Sequence, residues 1–569
     1  MNKNNQYAKF WWIPAVLVLV ALVFVSDRIS LFKLDLTEEK RFTLSPATRN
    51  LLSNLKEPVK VQVFLDGDMP AGFKKLSNAS KALLNEFRNL SKSNLTVEFK
   101  RPGEGMDEEE GLRFKQYIDS LGLKPTNVKV TAKAGESAEE RLLYAGALVS
   151  AGGNDLIVDL LQGQSATGGY EALNNAEALL EYKFASAIHK LTREEIPVIG
   201  YLTGNGQPLT YNVYDLIENT LRPNYGFAFV PIDSFPVLPL EFDALMIVKP
   251  TVPFTDRQKI KLDQYVMNGG KLLFFIDNLY AEMDSLMRAQ SDFVAFDRGL
   301  NLDDLLFRYG VRINMDLVQD LHSDKIPLVV GNFGNEPQMQ LVPWPYFPLL
   351  NSSSGHPISK NLNDVLSIFP NSIDTIEQEG VKKTILLNTT PASRSLATPA
   401  IVSLNSVKTE DDLKTFNKGE IPVAVLLEGT FTSLYRNRIS AALRDSLNNY
   451  YNMPFMPSSV FTKMIVVSDA DIALNVFSPQ EGPLPMGYNQ FTGMQYANKD
   501  FILNSIEYLV DPNQVLQARA KDITLRLLDV KKIESERSFW QMINIGLPIV
   551  ILVMFGGIYN AIRKKKYGN

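Results

Sequence analysis

Three places in this chain carry side chains whose types and spacing could do chemistry. The first is Thr203-Gly204-Asn205-Gly206-Gln207, directly after the apolar run Pro197-Val198-Ile199-Gly200-Tyr201-Leu202. In an open α/β sheet, ligands sit beyond the carboxyl ends of the strands, where loop N–H groups face outward. The run therefore predicts a ligand-binding loop, and Gly-Asn-Gly equally fits an ordinary tight turn. The second place is Asp277, just past the strand-like run 271–276. The third is the pair Asp469 and Asp471, just past the run 463–468. Carboxylates at strand ends can bind metal or act as bases. Capping the next turn is their commoner use. No catalytic residue, metal site or cofactor is assigned from these residues.

Other chemistry is excluded by composition. The chain has 569 residues and no cysteine, which removes disulfides, thiol nucleophiles and cysteine metal sites. Its three histidines, His189, His322 and His356, lie far apart. His356 precedes Pro357 in a loop and reads as a solvent-facing polar residue. There is no P-loop, no G-x-S-x-G and no H-E-x-x-H, so neither ATP hydrolysis nor a recognisable nucleophile is encoded. A net charge of -5 gives no reason to expect nucleic acid.

The elements that must position these residues begin at the two ends. Residues 539–562 are uncharged, long enough to span a membrane, and followed by Arg563-Lys564-Lys565-Lys566. Trp540 suits the headgroup layer at one end of that span. Gly546, Gly556 and Gly557 would let another membrane helix dock closely. Residues 10–26 form a second uncharged run. The bulky Val23, Phe24 and Val25 before Ser26 argue for an uncleaved anchor rather than a signal peptide. Two spans put the tails 1–9 and 563–569 on one side, and the basic cluster argues that this side is cytoplasmic.

Between the spans the chain reads as α/β. Residues 27–192 give a helix started by Ser45-Pro46, a βαβ unit, a further helix over 108–121, a hairpin around Gly152-Gly153 and a helix over 175–191. The acidic run at Asp107 reads as a solvated helix start. This order is similar to the thioredoxin-like fold, without its Cys-x-x-Cys. Residues 193–510 give apolar strands at 197–202, 244–248, 271–276, 421–427 and 463–468, with helices over 214–221, from Thr255 to Asn268 and over 499–510. Residues 331–354, rich in Gly, Asn, Pro and Ser, read as a long ordered loop. Residues 511–538 read as a helical stalk returning to the membrane.

Several long segments then resemble a known family. LDLTEEKRFTLSPATRNLL, VKVQVFLDGDMPAGFKKL, IVKPTVPFTDRQKIKLDQYVMNGGKLLFFID, IPVAVLLEGTFTSLYRNR and IVVSDADIALN resemble the gliding-motility GldG family of the Bacteroidetes. The two terminal spans and the closing RKKKYGN fit as well. The resemblance covers nearly the whole chain. It implies an auxiliary, non-enzymatic component of an ABC transporter, working with a GldA-like ATPase and a GldF-like permease at the inner membrane. It also implies a periplasmic body, and a second domain similar to the class I glutamine-amidotransferase-like (flavodoxin-like) fold, a domain type shared with an intraflagellar transport protein. The family supplies no catalytic residues. Two rival readings stay open: a periplasmic solute-binding protein with a small-molecule cleft between its two units, and a cysteine-free hydrolase using Asp277, Asp469 or Asp471.

Overall fold

The computed structural model describes residues 43–130, 139–161, 169–285, 292–333, 336–404, 410–450, 453–520 and 530–567. The chain divides into two compact units, Met1–Lys521 and Asp522–Asn569. The expected first span, 10–26, lies outside the described residues.

Helix α1 (Pro46–Ser53) starts as its sequence predicts. The Ser45 hydroxyl accepts the Thr48 N–H at 3.2 Å, and Pro46 occupies the first turn. There follow β1 (Val59–Val63), α2 (Ala71–Leu90), β2 (Leu95–Phe99), α3 (Glu108–Ser120), a hairpin of 126–130 with 139–143, β3 (Gly146–Ala151), β4 (Asn154–Asp159) and α4 (Gly169–Thr192). The Asp107 carboxylate accepts the Glu110 N–H at 2.8 Å and so starts α3. The sheet order is β2-β1-β3-β4. β1 runs parallel to β2 and antiparallel to β3, and β4 closes the sheet antiparallel to β3. Val61 and Val63 of β1 meet Leu84 and Phe87 of α2 and Phe184 and Ile188 of α4 in one core.

The second sheet has seven strands. They are β5 (Val198–Thr203), β6 (Gly226–Pro231), β7 (Ala244–Val248), β8 (Leu272–Phe275), β11 (Val381–Asn388), β12 (Pro422–Gly429) and β13 (Thr462–Val467). A separate hairpin, β9 (Ser323–Phe333) with β10 (Glu336–Leu350), intervenes in the chain. The sheet order is β11-β12-β13-β8-β7-β5-β6. The run from β6 through β13 is parallel, and β12 and β11 are added antiparallel. Both faces are covered, so these strands read as continuous apolar runs rather than alternating ones. Tyr201, Met246 and Phe275 face Phe501 and Ile506 of α6 (Asn498–Val510). Leu245, Ile247 and Phe274 face Leu262 and Val266 of α5 (Asp256–Met267). A reciprocal capping box between Thr255 and Gln258 starts α5.

Three expectations are corrected. Residues 331–354 are not a loop. Most of them lie in β9 and β10, paired antiparallel with register shifts at two places. Their prolines disguised them, yet edge positions of a small separate sheet tolerate residues without a backbone donor. The helix expected over 214–221 is one α-turn at Tyr214–Leu216 followed by a π-helical turn at Ile217–Leu221. The expected stalk also starts differently. Val515 and Leu516, in a 3-10 turn, are buried in the first compact unit. The second unit carries one helix, α7 (Val530–Tyr567), of 38 residues. Its stretch Glu536–Tyr567 is long and apolar enough to cross a membrane, with mean hydropathy 2.1 and no part of that apolar window buried.

Candidate functional site

The five parallel strands end on one edge of the seven-stranded sheet. β5 comes first in the chain. β6 is added on one side of it and β7 on the other, so the strand order reverses between β5 and β7. Such a reversal opens a crevice at the carboxyl edge. The loop after β5 and the residue after β7, Lys249, stand at that edge. Lys249 has φ 44°, a conformation costly for a residue with a Cβ.

Lys249 is the centre of an ionic cluster. Its Nζ lies 2.8 Å from Asp471 Oδ1, 3.1 Å from Glu282 Oε2 and 3.2 Å from Asp277 Oδ2. The Arg298 guanidinium donates to Glu282 and stands 4.0 Å from Asp277 Oδ2. Asp277 Oδ1 accepts the Ala470 N–H at 2.6 Å, while Oδ2 makes no hydrogen bond and is held by the charges of Lys249 and Arg298. Asp469 is fully buried. Its Oδ2 accepts the Ile368 N–H at 2.7 Å and the Ser367 hydroxyl, and its Oδ1 accepts the Asp471 N–H at 2.8 Å.

Among the described residues the formal charges do not balance. Four carboxylates (Asp277, Glu282, Asp469, Asp471) surround two cations (Lys249, Arg298). Burial opposes the charge on Lys249, but Asp471, Asp277 and Glu282 outweigh it and hold its pKa well above the usual lysine value. Burial pushes Asp469 well above the usual carboxylate range, and the charges of Asp471 and Asp277 add to this. Asp471 is pushed up to about 7, by burial first, with Lys249 pulling against it. Asp277, Asp469 and Asp471 each bring an oxygen within 4.8 Å of the others, a spacing that could hold a metal ion. The Lys249 ammonium already occupies the position between two of them. The arrangement therefore neutralises charge internally and ties the ends of β7, β8 and β13 together.

The Thr203–Gln207 loop folds in on itself. Asn205 and Gln207 are buried. The Asn205 N–H donates to Gln207 Oε1 at 2.8 Å, and the Asn205 carbonyl accepts the Thr251 and Val252 N–H groups at 2.9 and 3.0 Å. Asn205 Nδ2 donates to Gln258 Oε1 at 3.1 Å, reaching α5. Two atoms, Asn205 Oδ1 and Gln207 Nε2, stay buried without a hydrogen bond among the described residues. Gly204 and Gly206 have φ 121° and 75°. A Cβ on Gly206 would stand 2.1 Å from Thr251 Oγ1. Gly206→Ala is therefore expected to lower stability by about 1–2 kcal/mol, the cost of a left-handed residue with a Cβ, plus the displacement of Thr251. A urea titration measures it, and an unchanged midpoint would mean the loop is not held against Thr251.

The remaining sequence-predicted residues lie on α7. Trp540 Nε1 donates to Glu536 at 3.1 Å. A Cβ built on Gly546, Gly556 or Gly557 meets nothing within 4 Å, so all three glycines are open for contact. Inspection of sequence missed Lys249, Glu282 and Arg298. The available signal was a lysine ending an all-apolar strand just before Pro250. His356, expected to face solvent, is half-buried. Its ring packs edge-on against Tyr508 with centroids 4.7 Å apart, and burial pulls its pKa down to about 4.

A family model described as an ABC-type uncharacterized transport system matches residues 196–505, more than half the chain. The chain belongs to this family. Membership implies association with an ABC transporter. A model for a domain of unknown function, DUF7088, matches residues 38–150. An uncharacterized protein of Borreliella burgdorferi is 20% identical over 448 residues, spanning 77% of this chain and 80% of its own length. Among solved structures, the mmIFT52 N-terminal domain aligns over 58% of this family member and 100% of its own chain, at 11% identity and a TM-score of 0.30. A ThuA-like protein from Parabacteroides merdae aligns over 59% and 94%, at 12% identity and a TM-score of 0.25.

Proposed function

We propose that this chain is a non-enzymatic, membrane-anchored auxiliary subunit of an ABC transporter, of the kind that serves gliding motility. A GldA-like ATPase hydrolyses ATP, a GldF-like permease forms the path, and this chain's periplasmic body receives a substrate or passes on conformational change. Anchors at 10–26 and 539–562 put both termini in the cytoplasm. The observation that carries the reading is α7, a 38-residue helix whose apolar window has no side chain buried. A helix that is apolar without a packed face needs lipid or another helix around it. The strand order with a reversal beside the first strand supports a flavodoxin-like, amidotransferase-like second domain. One parallel pair extended by two antiparallel strands supports a thioredoxin-like first domain. The non-enzymatic assignment rests on the carboxyl edge, where every carboxylate is engaged by a cation or a hydrogen bond.

Anchoring also raises the effective concentration of the body over the permease. Deleting residues 530–567 is expected to abolish recovery of an ABC ATPase and a polytopic permease with the tagged protein in mild detergent. Undiminished recovery of both would remove α7 from the docking role.

A further inference from the structure

A second polar site lies between the four-stranded and the seven-stranded sheet, within the first compact unit. The cleft measures about 390 Å³ and is walled by β4, α4, residues 361–363, the first half of α6 and the 3-10 turn carrying Arg519. That volume lies in the range of small-molecule sites, roughly 300–1,000 Å³.

Two groups in this cleft have polar atoms left without a hydrogen bond among the described residues. Arg519 is 5% exposed. Its Nη2 donates to the Lys360 and Asn361 carbonyls at 3.2 and 3.4 Å, and its guanidinium stacks 5.1 Å over Tyr182, but its Nε is buried without a hydrogen bond. A buried donor left unpaired is costly, and a ligand oxygen would relieve that cost. Asp500 is the second. Among the described residues no hydrogen bond or ion pair reaches its carboxylate. Burial raises its pKa, and Arg519, Lys183 and Lys499 pull it back, so those cations face it without touching it.

The neighbouring cations are already placed by the backbone. Lys183 Nζ donates to the Asp159 and Leu160 carbonyls at 2.8 and 2.9 Å, and Lys499 Nζ donates to the Asn219 carbonyl at 3.0 Å. A simple anion entering here would be repelled by Asp500. A simple cation would be repelled by Arg519, Lys183 and Lys499. A molecule carrying both charges meets neither objection.

We propose that this cleft binds a small zwitterion of amino-acid or dipeptide size, its carboxylate on Arg519 and its ammonium on Asp500. The site does not depend on α7 or on transporter docking, so it stands or falls separately from the proposed function. The test uses the purified full-length chain in detergent, titrated with Gly-Gly, with each standard amino acid, and with acetate, ethylamine and glucose as controls. At least one zwitterion is expected to raise the melting temperature, while acetate, ethylamine and glucose leave it unchanged. Asp500→Asn removes no hydrogen bond, so the unliganded protein should melt as the parent does. It should weaken zwitterion binding about tenfold or more, the scale of one charge-assisted hydrogen bond. Arg519→Lys keeps the charge, removes Nε and should weaken binding similarly. The proposal is overturned if no zwitterion shifts the melt, if Asp500→Asn binds as tightly as the parent, or if glucose alone binds.

Discussion

Lys249→Met should destabilise the protein by about 3–5 kcal/mol, the cost of breaking a buried ion pair from one side. The substitution keeps the apolar stem and removes the ammonium that Asp277, Glu282 and Asp471 share. The pH dependence separates this from a packing effect. In the parent, Asp471 titrates near 7 when folded, well above the unfolded value of about 4. Between those two values the native state holds more protons than the unfolded chain. The contribution of Asp471 to stability therefore falls as pH rises from about 4 to about 7 and levels off above that. Without Lys249 the carboxyls hold their protons to higher pH, so the variant's loss is smallest in acid and largest in alkali. Urea melts near pH 5 and near pH 8 measure both. Equal losses at the two pH values would mean the ammonium is not what balances the cluster.

Glu507→Ala is expected to have a comparable cost, about 3–5 kcal/mol, and to change how the body unfolds. Glu507 Oε1, on α6, accepts the Tyr225 hydroxyl at 2.7 Å and lies 3.4 Å from Lys190 Nζ, on α4. α4 packs on the first sheet and α6 on the second, so this carboxylate is one of the links between the two, beside His189 with Asp511 and Tyr182 with Asn504. Burial alone would raise its pKa, but Lys190, the Tyr225 hydroxyl, Arg193 and His189 outweigh it and hold it below the usual glutamate value. Its contribution is thus present above the unfolded pKa, about 4.3, and is lost as pH falls through the folded value. Removing it should separate a single calorimetric transition into two. A single transition at the parent's temperature would mean that the sheets are coupled elsewhere. Glu507→Gln, which can keep the hydroxyl bond, should lose less.

What was legible in the sequence was what is local. β5, β7, β8 and β13 are apolar runs because each is buried on both faces, and Thr255 announced α5 through its own hydrogen bonds. Ser45-Pro46 did the same for α1. The candidate site was legible only in pieces. Asp277, Asp469 and Asp471 each stood out at a strand end, but their meeting depends on β13 lying beside β8, a pairing of neighbours far apart in the chain, Leu272 with Met464. Lys249 and Asp471 are 222 positions apart. No local pattern encodes such a contact. Residues 279–404 resisted reading for another reason. Their strands are short or rich in proline, and turn residues there mask the period of two.

The proline-rich arm of β9 and β10 bears on solubility. Five of its positions, Pro327, Pro337, Pro343, Pro345 and Pro348, have no backbone N–H to offer. Exposed Val329, Met339 and Leu341 would otherwise make it a template for strand addition by a neighbouring copy. With those donors missing, a continuous ladder cannot grow along β10. The same residues that hide the arm in the sequence thus keep it from seeding aggregation when many copies crowd together.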